Sequence, residues 1–186
     1  KDGTEPMKCR RTIRTVLLLS LLAPFAACDR DAGSDAGFEK GAGAEWDALS
    51  AEMAELQGAG ESDRAIVVAK KALEVAEKNV GSEHPDVAKS LNNLAALYGT
   101  QGDYAQAEPL FKRALAIHEK VLGPDHPSVA IDLNNLGLLY QSQGDDVQAE
   151  RFYARALAIN EQALGPDHPG LATDLNKLAL LYTSRG

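Results

Sequence analysis

Apolar positions in this chain recur with the spacing of helices, and the helices themselves recur with a period of 42 residues. Residues 123–164 repeat 81–122 at 24 of 42 positions, and 165–186 repeat the start of 123–164 at 15 of 22. In each copy an apolar stripe falls at i, i+3, i+4 and i+7, which is one face of a helix. The three stripes are Leu91, Leu94, Ala95, Tyr98; Leu133, Leu136, Gly137, Tyr140; and Leu175, Leu178, Ala179, Tyr182.

A turn signal and a second stripe follow the first stripe in each of the two full copies. The turns are the dipeptides Gly102-Asp103 and Gly144-Asp145, which interrupt a helix. Each copy opens with a Gly-x-x-His-Pro linker, where Gly ends one helix and Pro begins the next. The second stripes are Ala107, Phe111, Ala114, Leu115 and Ala149, Tyr153, Ala156, Leu157. The unit is therefore predicted to be helix, short turn, helix.

Small residues at matching places predict how the two helices of a unit pack. Positions 95, 107, 137 and 149 carry only Ala or Gly, which allows helix axes to approach to about 8 Å, the close end of the usual range. Aromatic side chains fill the remaining space. No segment shows the alternation of a strand, so the pattern predicts an all-α fold.

The repeat resembles the tetratricopeptide repeat, whose usual unit has 34 residues. The positions that carry the resemblance are Leu133, Leu136, Gly137, Tyr140, Gly144, Ala149, Tyr153 and Ala156. The longer unit, with the segments 86–95 and 104–117, looks like the kinesin light chain subtype. This resemblance implies a right-handed superhelical solenoid of antiparallel helix pairs, with first helices that line a concave groove and bind a protein or peptide.

A weaker copy of the unit precedes residue 81. Leu49, Met53 and Leu56 align with the first stripe, but the asparagines and aromatics of the later copies are missing. An end repeat needs one polar face, and the acids Glu45, Asp47, Glu52 and Glu55 would supply it. The predicted organisation is a degenerate repeat at 45–80, repeats at 81–122 and 123–164, and a partial repeat, first helix only, at 165–186.

The start of the chain has the form of a secretory signal peptide. Basic residues at 8–14 are followed by a mostly apolar run at 16–27 and then Cys28. The run is shorter than the ~20 residues that span a bilayer. The tetrapeptide Phe25-Ala26-Ala27-Cys28 resembles a bacterial lipobox, in which the cysteine is lipidated; the alternative is ordinary cleavage that leaves a free thiol. The predicted segments are 1–27, upstream residues and signal peptide, and 28–44, a flexible tether.

Composition narrows the classes of partner. The formal net charge is −8, which disfavours binding to nucleic acid. The two cysteines, Cys9 and Cys28, give no disulfide framework for the exported part. No catalytic triad or phosphate-binding loop is recognisable, so we expect no enzymatic activity, no cofactor and no small-molecule substrate.

Three histidines recur once per repeat, at 84, 126 and 168. Successive copies should lie about 8–10 Å apart, whereas each ligand of a zinc ion lies about 2 Å from it. One ion cannot reach all three, so we expect no metal site and a role for these histidines in the linkers.

The candidate ligand-binding residues form a row of amides on successive first helices. Asn side chains offer a donor and an acceptor, which suits pairing with the backbone of an extended peptide. Adjacent asparagines lie about 100° apart on a helix, so one of each pair is free to bond a neighbouring helix instead; the resemblance favours Asn93 and Asn135 as the ligand-facing members. The predicted peptide-binding residues are Asn92, Asn93, Asn134, Asn135, Asn176, Lys177 and Lys89.

These observations predict a non-catalytic scaffold, exported and lipid-anchored at the extracytoplasmic face of a bacterial membrane, that binds a partner in its concave groove. One alternative is the N-terminal part of a longer protein with an enzymatic or sensory domain beyond residue 186, since the last first helix lacks its predicted partner. Another is self-association through that same helix.

Overall fold

The structure is a computed structural model that describes residues 41–185 of the 186-residue chain. Within this range the chain is all-helical, without strands. The seven helices are α1 (Ala44–Gly58), α2 (Ser62–Val80), α3 (Pro85–Thr100), α4 (Tyr104–Leu122), α5 (Pro127–Ser142), α6 (Asp146–Leu164) and α7 (Leu171–Arg185). The all-α prediction is confirmed.

Helices that are consecutive in sequence pack against each other, so the chain forms a row of antiparallel hairpins. The hairpins are α1–α2, α3–α4 and α5–α6, and α7 adds the first helix of a fourth unit. The predicted turns are present: Gly102 and Gly144 both adopt φ of 79°, a left-handed conformation that glycine reaches without strain. The helix–turn–helix unit predicted by the repeat is confirmed.

Side chains from the linkers and turns cap the helix starts. Nδ1 of His84 and of His126 accepts a hydrogen bond, 3.1 Å long, from the backbone N–H two residues later. Asp103 and Asp145 cap α4 and α6 in the usual way, by accepting from the backbone N–H three residues later. His168 makes the same bond to Gly170, but α7 begins only at Leu171 because glycine is a poor helix former.

The core runs through the row of hairpins along the two predicted stripes. Ala95, Ala107, Gly137 and Ala149 are all buried, which confirms that small residues occupy the contact between helices. The largest buried side chains are Tyr153 and Phe111 of the second helices, followed by Leu91, Leu97, Leu133, Leu136, Leu139 and Leu181. The α3–α4 and α5–α6 hairpins thus each close with an aromatic ring packed on their small residues, whereas the α1–α2 hairpin has Ala69 at the equivalent position.

The first hairpin, α1–α2, is capped by the residues just before it. Ala42 is buried; its N–H donates to Asp86 Oδ2 at 2.9 Å, and its carbonyl accepts from Asn79 Nδ2 at 2.7 Å. The indole of Trp46 donates to Ser90 Oγ at 2.7 Å. The last residues of the predicted tether, 41–43, therefore lie against the repeats. The four acids expected on the outer side of α1 are all exposed.

Candidate peptide-binding groove

The first helices of successive hairpins form one layer of the row. Helix α3 packs on the second helices at either side and also contacts α5, the next first helix, directly. In a curved stack of hairpins, neighbouring helices come closest on the inner side of the curve. The contact between α3 and α5 agrees with the resemblance to tetratricopeptide domains, which places the first helices on the inner, concave face and so predicts that this face carries the amide row.

One asparagine of each predicted pair joins neighbouring helices. Nδ2 of Asn92 donates to Asp132 Oδ1 at 2.5 Å, and Nδ2 of Asn134 donates to Asp174 Oδ1 at 2.8 Å. The Oδ1 atoms of both asparagines are buried, without a partner among residues 41–185. The sequence places these two asparagines among the candidate peptide contacts, but in the structure their amides fill the interface between helices.

The other asparagine of each pair is available at the inner face. Asn93 and Asn135 are half-buried, and their amides make no hydrogen bond to any residue in the described range. Each follows its hydrogen-bonded neighbour by one position and so lies about 100° further round the helix. The structure thus separates the two members of each pair by their hydrogen bonds: Asn92 and Asn134 bond to the next first helix, whereas the amides of Asn93 and Asn135 have no hydrogen bond within the described residues. A peptide contact by Asn93 and Asn135 stays a prediction.

The remaining candidate residues stand at the edges of the same face. Asn176 of α7 is exposed. The ammonium groups of Lys89 and Lys177 each lie 3.5 Å from a carboxylate oxygen three residues earlier, Asp86 Oδ1 and Asp174 Oδ1 respectively. The row at the position of Asn93 reads Ala51, Asn93, Asn135, Lys177 along α1, α3, α5 and α7. The inner face is therefore polar and, at its two lysines, locally charge-balanced.

Two buried carboxylates beneath this face were not among the sequence candidates. Asp132 is fully buried and accepts from Asn92 while its Oδ2 lies 2.7 Å from His118 Nδ1. Asp174 is 3% exposed, and its Oδ2 accepts from Asn160 Nδ2 at 2.6 Å. A charged residue within a helix is usually read as solvated. The available signal was the repeat itself, since the offset of 40 residues from Asn92 to Asp132 recurs from Asn134 to Asp174.

A second recurring hydrogen bond joins α5 and α7 to the second helices that precede them, α4 and α6. The hydroxyl of Tyr140 donates to Glu108 Oε1 at 2.8 Å, and Tyr182 donates to Glu150 Oε1 at 2.7 Å. Hydrogen bonds from Lys112 and then Tyr140 hold the pKa of the Glu108 carboxyl below its ordinary value. Burial raises the pKa of the Tyr140 hydroxyl. The stacked ring of Phe152 supports Tyr140 from the other side.

The repeated histidines cap helices. Nδ1 of each accepts a backbone N–H, so this nitrogen is committed to the start of α3, α5 or the turn before α7. Across residues 41–185, no group of three or more His, Cys, Asp or Glu side chains is placed to hold a metal ion. The linker role that the sequence favoured for these residues is confirmed, and its physical form is a helix cap.

The predicted signal peptide, Cys28 and most of the tether lie outside the described residues. In the part that the structure does describe, none of the helices combines the length and the hydropathy needed to cross a bilayer.

The repeat region matches known proteins in sequence and in structure. A sequence profile of the tetratricopeptide repeat matches residues 53–120, 92–162 and 133–186. A search of curated proteins gave no match. Among solved structures, BtubC (BKLC) from P. vanneervenii superposes with a TM-score of 0.69 at 28% identity, covering 76% of this chain and 56% of that one. This chain therefore spans a little over half the length of that relative.

Two further structures share the architecture. A putative kinesin light chain with nearly identical TPR-like repeats, from Podosopora anserina, gives a TM-score of 0.69 at 25% identity, covering 80% of this chain and 70% of that one. The N-terminal domain of stress-induced protein-1 from C. elegans gives 0.51 at 21% identity, covering 74% and 98%, and shares the fold alone. With the helical hairpins, their small and aromatic contacts and the matched profile, the chain belongs to the tetratricopeptide repeat family.

Proposed function

We propose that this protein is a non-catalytic scaffold that binds an extended segment of a partner protein along its inner face. The family is one of protein-interaction modules, which supports a scaffold in general terms. The particular groove is proposed from the geometry of the first helices. The single observation that carries it is the pair Asn93 and Asn135, equivalent amides on successive helices that no described residue uses.

An extended chain suits the spacing of these amides. Adjacent helices pack about 8–10 Å apart, and an extended peptide advances about 3.3 Å per residue. The guest therefore passes from Asn93 to Asn135 in about three residues. Each amide can donate to a carbonyl and accept an N–H of the guest backbone, so recognition at these two positions is independent of the guest side chains.

Two lysines on the first helices, Lys89 of α3 and Lys177 of α7, add a weaker preference. Lys89 and Lys177 are each about one-third exposed and already lie near a carboxylate. A guest carboxylate would compete with Asp86 or Asp174 for the ammonium group, and exposed ion pairs contribute only about 0–1 kcal/mol. Main-chain pairing with the asparagines is accordingly the larger source of affinity in the proposed groove.

The groove is tested by recovering partners with Asn93→Ala plus Asn135→Ala. A hydrogen bond contributes about 0.5–1.5 kcal/mol, so loss of one bond per asparagine weakens binding by about 1–3 kcal/mol, or roughly 5- to 150-fold. The matched control is Gln143→Ala plus Gln162→Ala, which removes two exposed amides outside the inner face. Equal recovery of every partner by the folded double asparagine variant would eliminate the groove assignment.

We also propose that the protein is exported and held at a bacterial membrane through a lipid on Cys28. The basic and apolar segments before this residue and the resemblance of 25–28 to a lipobox support the proposal. A Gly- and Asp-rich stretch then leads to the repeats, and such composition suits a flexible linker.

The anchor is tested by metabolic labelling with a radioactive or clickable fatty acid. Cys28→Ala should abolish incorporation, whereas Cys9→Ala, within the signal segment, should leave it unchanged. Label that persists in Cys28→Ala would refute the lipidation site, and its disappearance in Cys9→Ala would place the lipid on Cys9 instead.

A further inference from the structure

Two buried carboxylates recur at the boundaries between hairpins. Asp132 of α5 is bonded to Asn92 of α3 and to His118 of α4. Asp174 of α7 is bonded to Asn134 of α5 and to Asn160 of α6. Each carboxylate thus joins the first helix of one unit to both helices of the unit before it. All of these contacts are 2.5–2.8 Å long.

These contacts lie next to the half-buried groove residues on both sides of each boundary, which are Asn93, Asn135 and Lys177. On the earlier helix, the bonded asparagine immediately precedes the groove residue, as Asn92 precedes Asn93. On the later helix, the carboxylate lies one turn before the groove residue, as Asp132 precedes Asn135. At the next boundary Asp174 also contacts the groove residue itself, through Lys177.

We propose that Asp132 and Asp174 are positioning residues that set the distance and angle between successive ligand-binding side chains of the groove. The inference rests on the proposed function for its biological meaning, because the side chains positioned are those assigned to the guest. A carboxylate suits this task because its two oxygens accept from two different helices at once. A residue with one acceptor would fix one helix and leave the other to move.

The first boundary offers an internal comparison. Between α1 and α3 the position equivalent to Asp132 is Ser90, which receives the indole of Trp46 instead of an amide. The groove position of α1 at that boundary is Ala51, which has no polar group to place. Within the described residues, a carboxylate therefore occupies this helix position at the boundaries that carry polar groove residues on both sides, and Ser90 replaces it at the first boundary. There the buried carboxylate is at a different position, Asp86, and accepts from the backbone N–H of Ala42.

The test measures the spacing of the groove directly. Spin labels are attached to Asn93→Cys and Asn135→Cys in the full chain, with Cys9→Ser and Cys28→Ser so that only the introduced thiols react. Dipolar broadening in EPR reports the label–label distance. Asp132→Ala is expected to lengthen and broaden that distance, because it leaves the buried donors of Asn92 and His118 without their acceptor.

A conservative variant and a core variant separate an effect on the label–label distance from an effect on the stability of the fold. In Asp132→Asn the side-chain oxygen can accept from Asn92 and its NH2 can donate to His118 Nδ1 in the other tautomer, so the distance should return to that of the parent. Ile159→Ala is the control for stability alone, because Ile159 lies in the core of the third hairpin. It should lower the urea midpoint while the distance stays unchanged.

An unchanged distance in folded Asp132→Ala would overturn the proposal. If that variant does not fold, Asn92→Ala replaces it, since the bond between Asp132 and His118 remains; an unchanged distance there would overturn the proposal equally. The measurement needs no ligand. Failure of the double asparagine variant to affect partner recovery would therefore remove the groove assignment, whereas an unaltered label distance would remove the positioning role.

Discussion

Gly137 lies where α5 crosses the ring of Tyr153 on α6. Substitution of Gly137 by alanine has two effects of opposite sign on stability. In most helix interiors, Gly→Ala stabilises by about 0.5–1 kcal/mol. At this position the new Cβ would lie 2.5 Å from Cε1 and 2.6 Å from Cδ1 of Tyr153, well inside van der Waals contact. Overpacking of a buried site costs about 1–3 kcal/mol. Gly137→Ala should therefore destabilise the protein by up to about 2 kcal/mol, against the usual sign.

The preceding repeat shows how this cost can be relieved. There Ala95 packs with Phe111, and the position equivalent to Gln141 is Gly99. Tyr153 has less freedom than Phe111, because its hydroxyl donates to Gln141 Oε1 at 2.9 Å. Removal of the hydroxyl in Tyr153→Phe frees the ring to shift. The cost of Gly137→Ala should accordingly be smaller by about 0.5–1.5 kcal/mol in the Tyr153→Phe background.

Urea unfolding followed by far-UV circular dichroism measures all four members of this double-mutant cycle. Gly99→Ala serves as the control, since an added Cβ there lies 4.0 Å from the nearest side-chain atom, in Leu139, and should stabilise or be neutral. The steric argument fails if Gly137→Ala raises the urea midpoint. The explanation by the tethered ring fails if the two substitutions are additive.

Two further results are expected. His126→Ala should lower the free energy of unfolding by about 0.5–2 kcal/mol because it removes the cap of α5. His126→Asn keeps a hydrogen-bond acceptor and should lower the free energy of unfolding by less. Equal decreases for the two variants in urea titrations would contradict the capping role. Because the pKa of Glu108 is lowered in the folded state, its ionised form stabilises the fold above the unfolded-state pKa, and this contribution is lost as the pH falls through the folded-state pKa. Glu108→Gln should therefore reduce the drop in urea midpoint between neutral and acid pH. A drop equal to that of the parent protein would exclude the contribution.

The repeat allowed much of the fold to be predicted from the sequence. Equivalent apolar positions gave the two helices of each unit, and the glycines gave the turns, because both signals are local and occur in each copy. The start of α7 differs from the Pro-led start of α3 and α5, since Gly170 replaces Asp86 and Ser128 at the first turn. A linker motif shared by three repeats was not enough to specify that single helix end.

The residues alone did not predict which asparagine of each pair bonds to the next helix, because that depends on packing between helices and not on a local pattern. The sequence shows Asn92 and Asn93 side by side with the same chemistry, and only the packing of α5 separates them, since Asp132 reaches one and not the other. Burial of Asp132 depends on donors from two other helices, so no local pattern indicates it. The sequence assigned the histidines to the linkers but did not specify their caps, because histidine is not among the residues usually preferred at a helix start.

The order of side chains along the inner face affects the register in which a guest peptide would bind. Asn93 and Asn135 present the same amide one unit apart, so a guest segment that shifts from one to the other meets the same group. Ala51 and Lys177 stand at the two flanking places, and a slipped guest would exchange an amide contact for a methyl or an ammonium group. At about 0.5–1.5 kcal/mol per lost bond, the ends of the row favour one register of the guest by a few-fold to about tenfold.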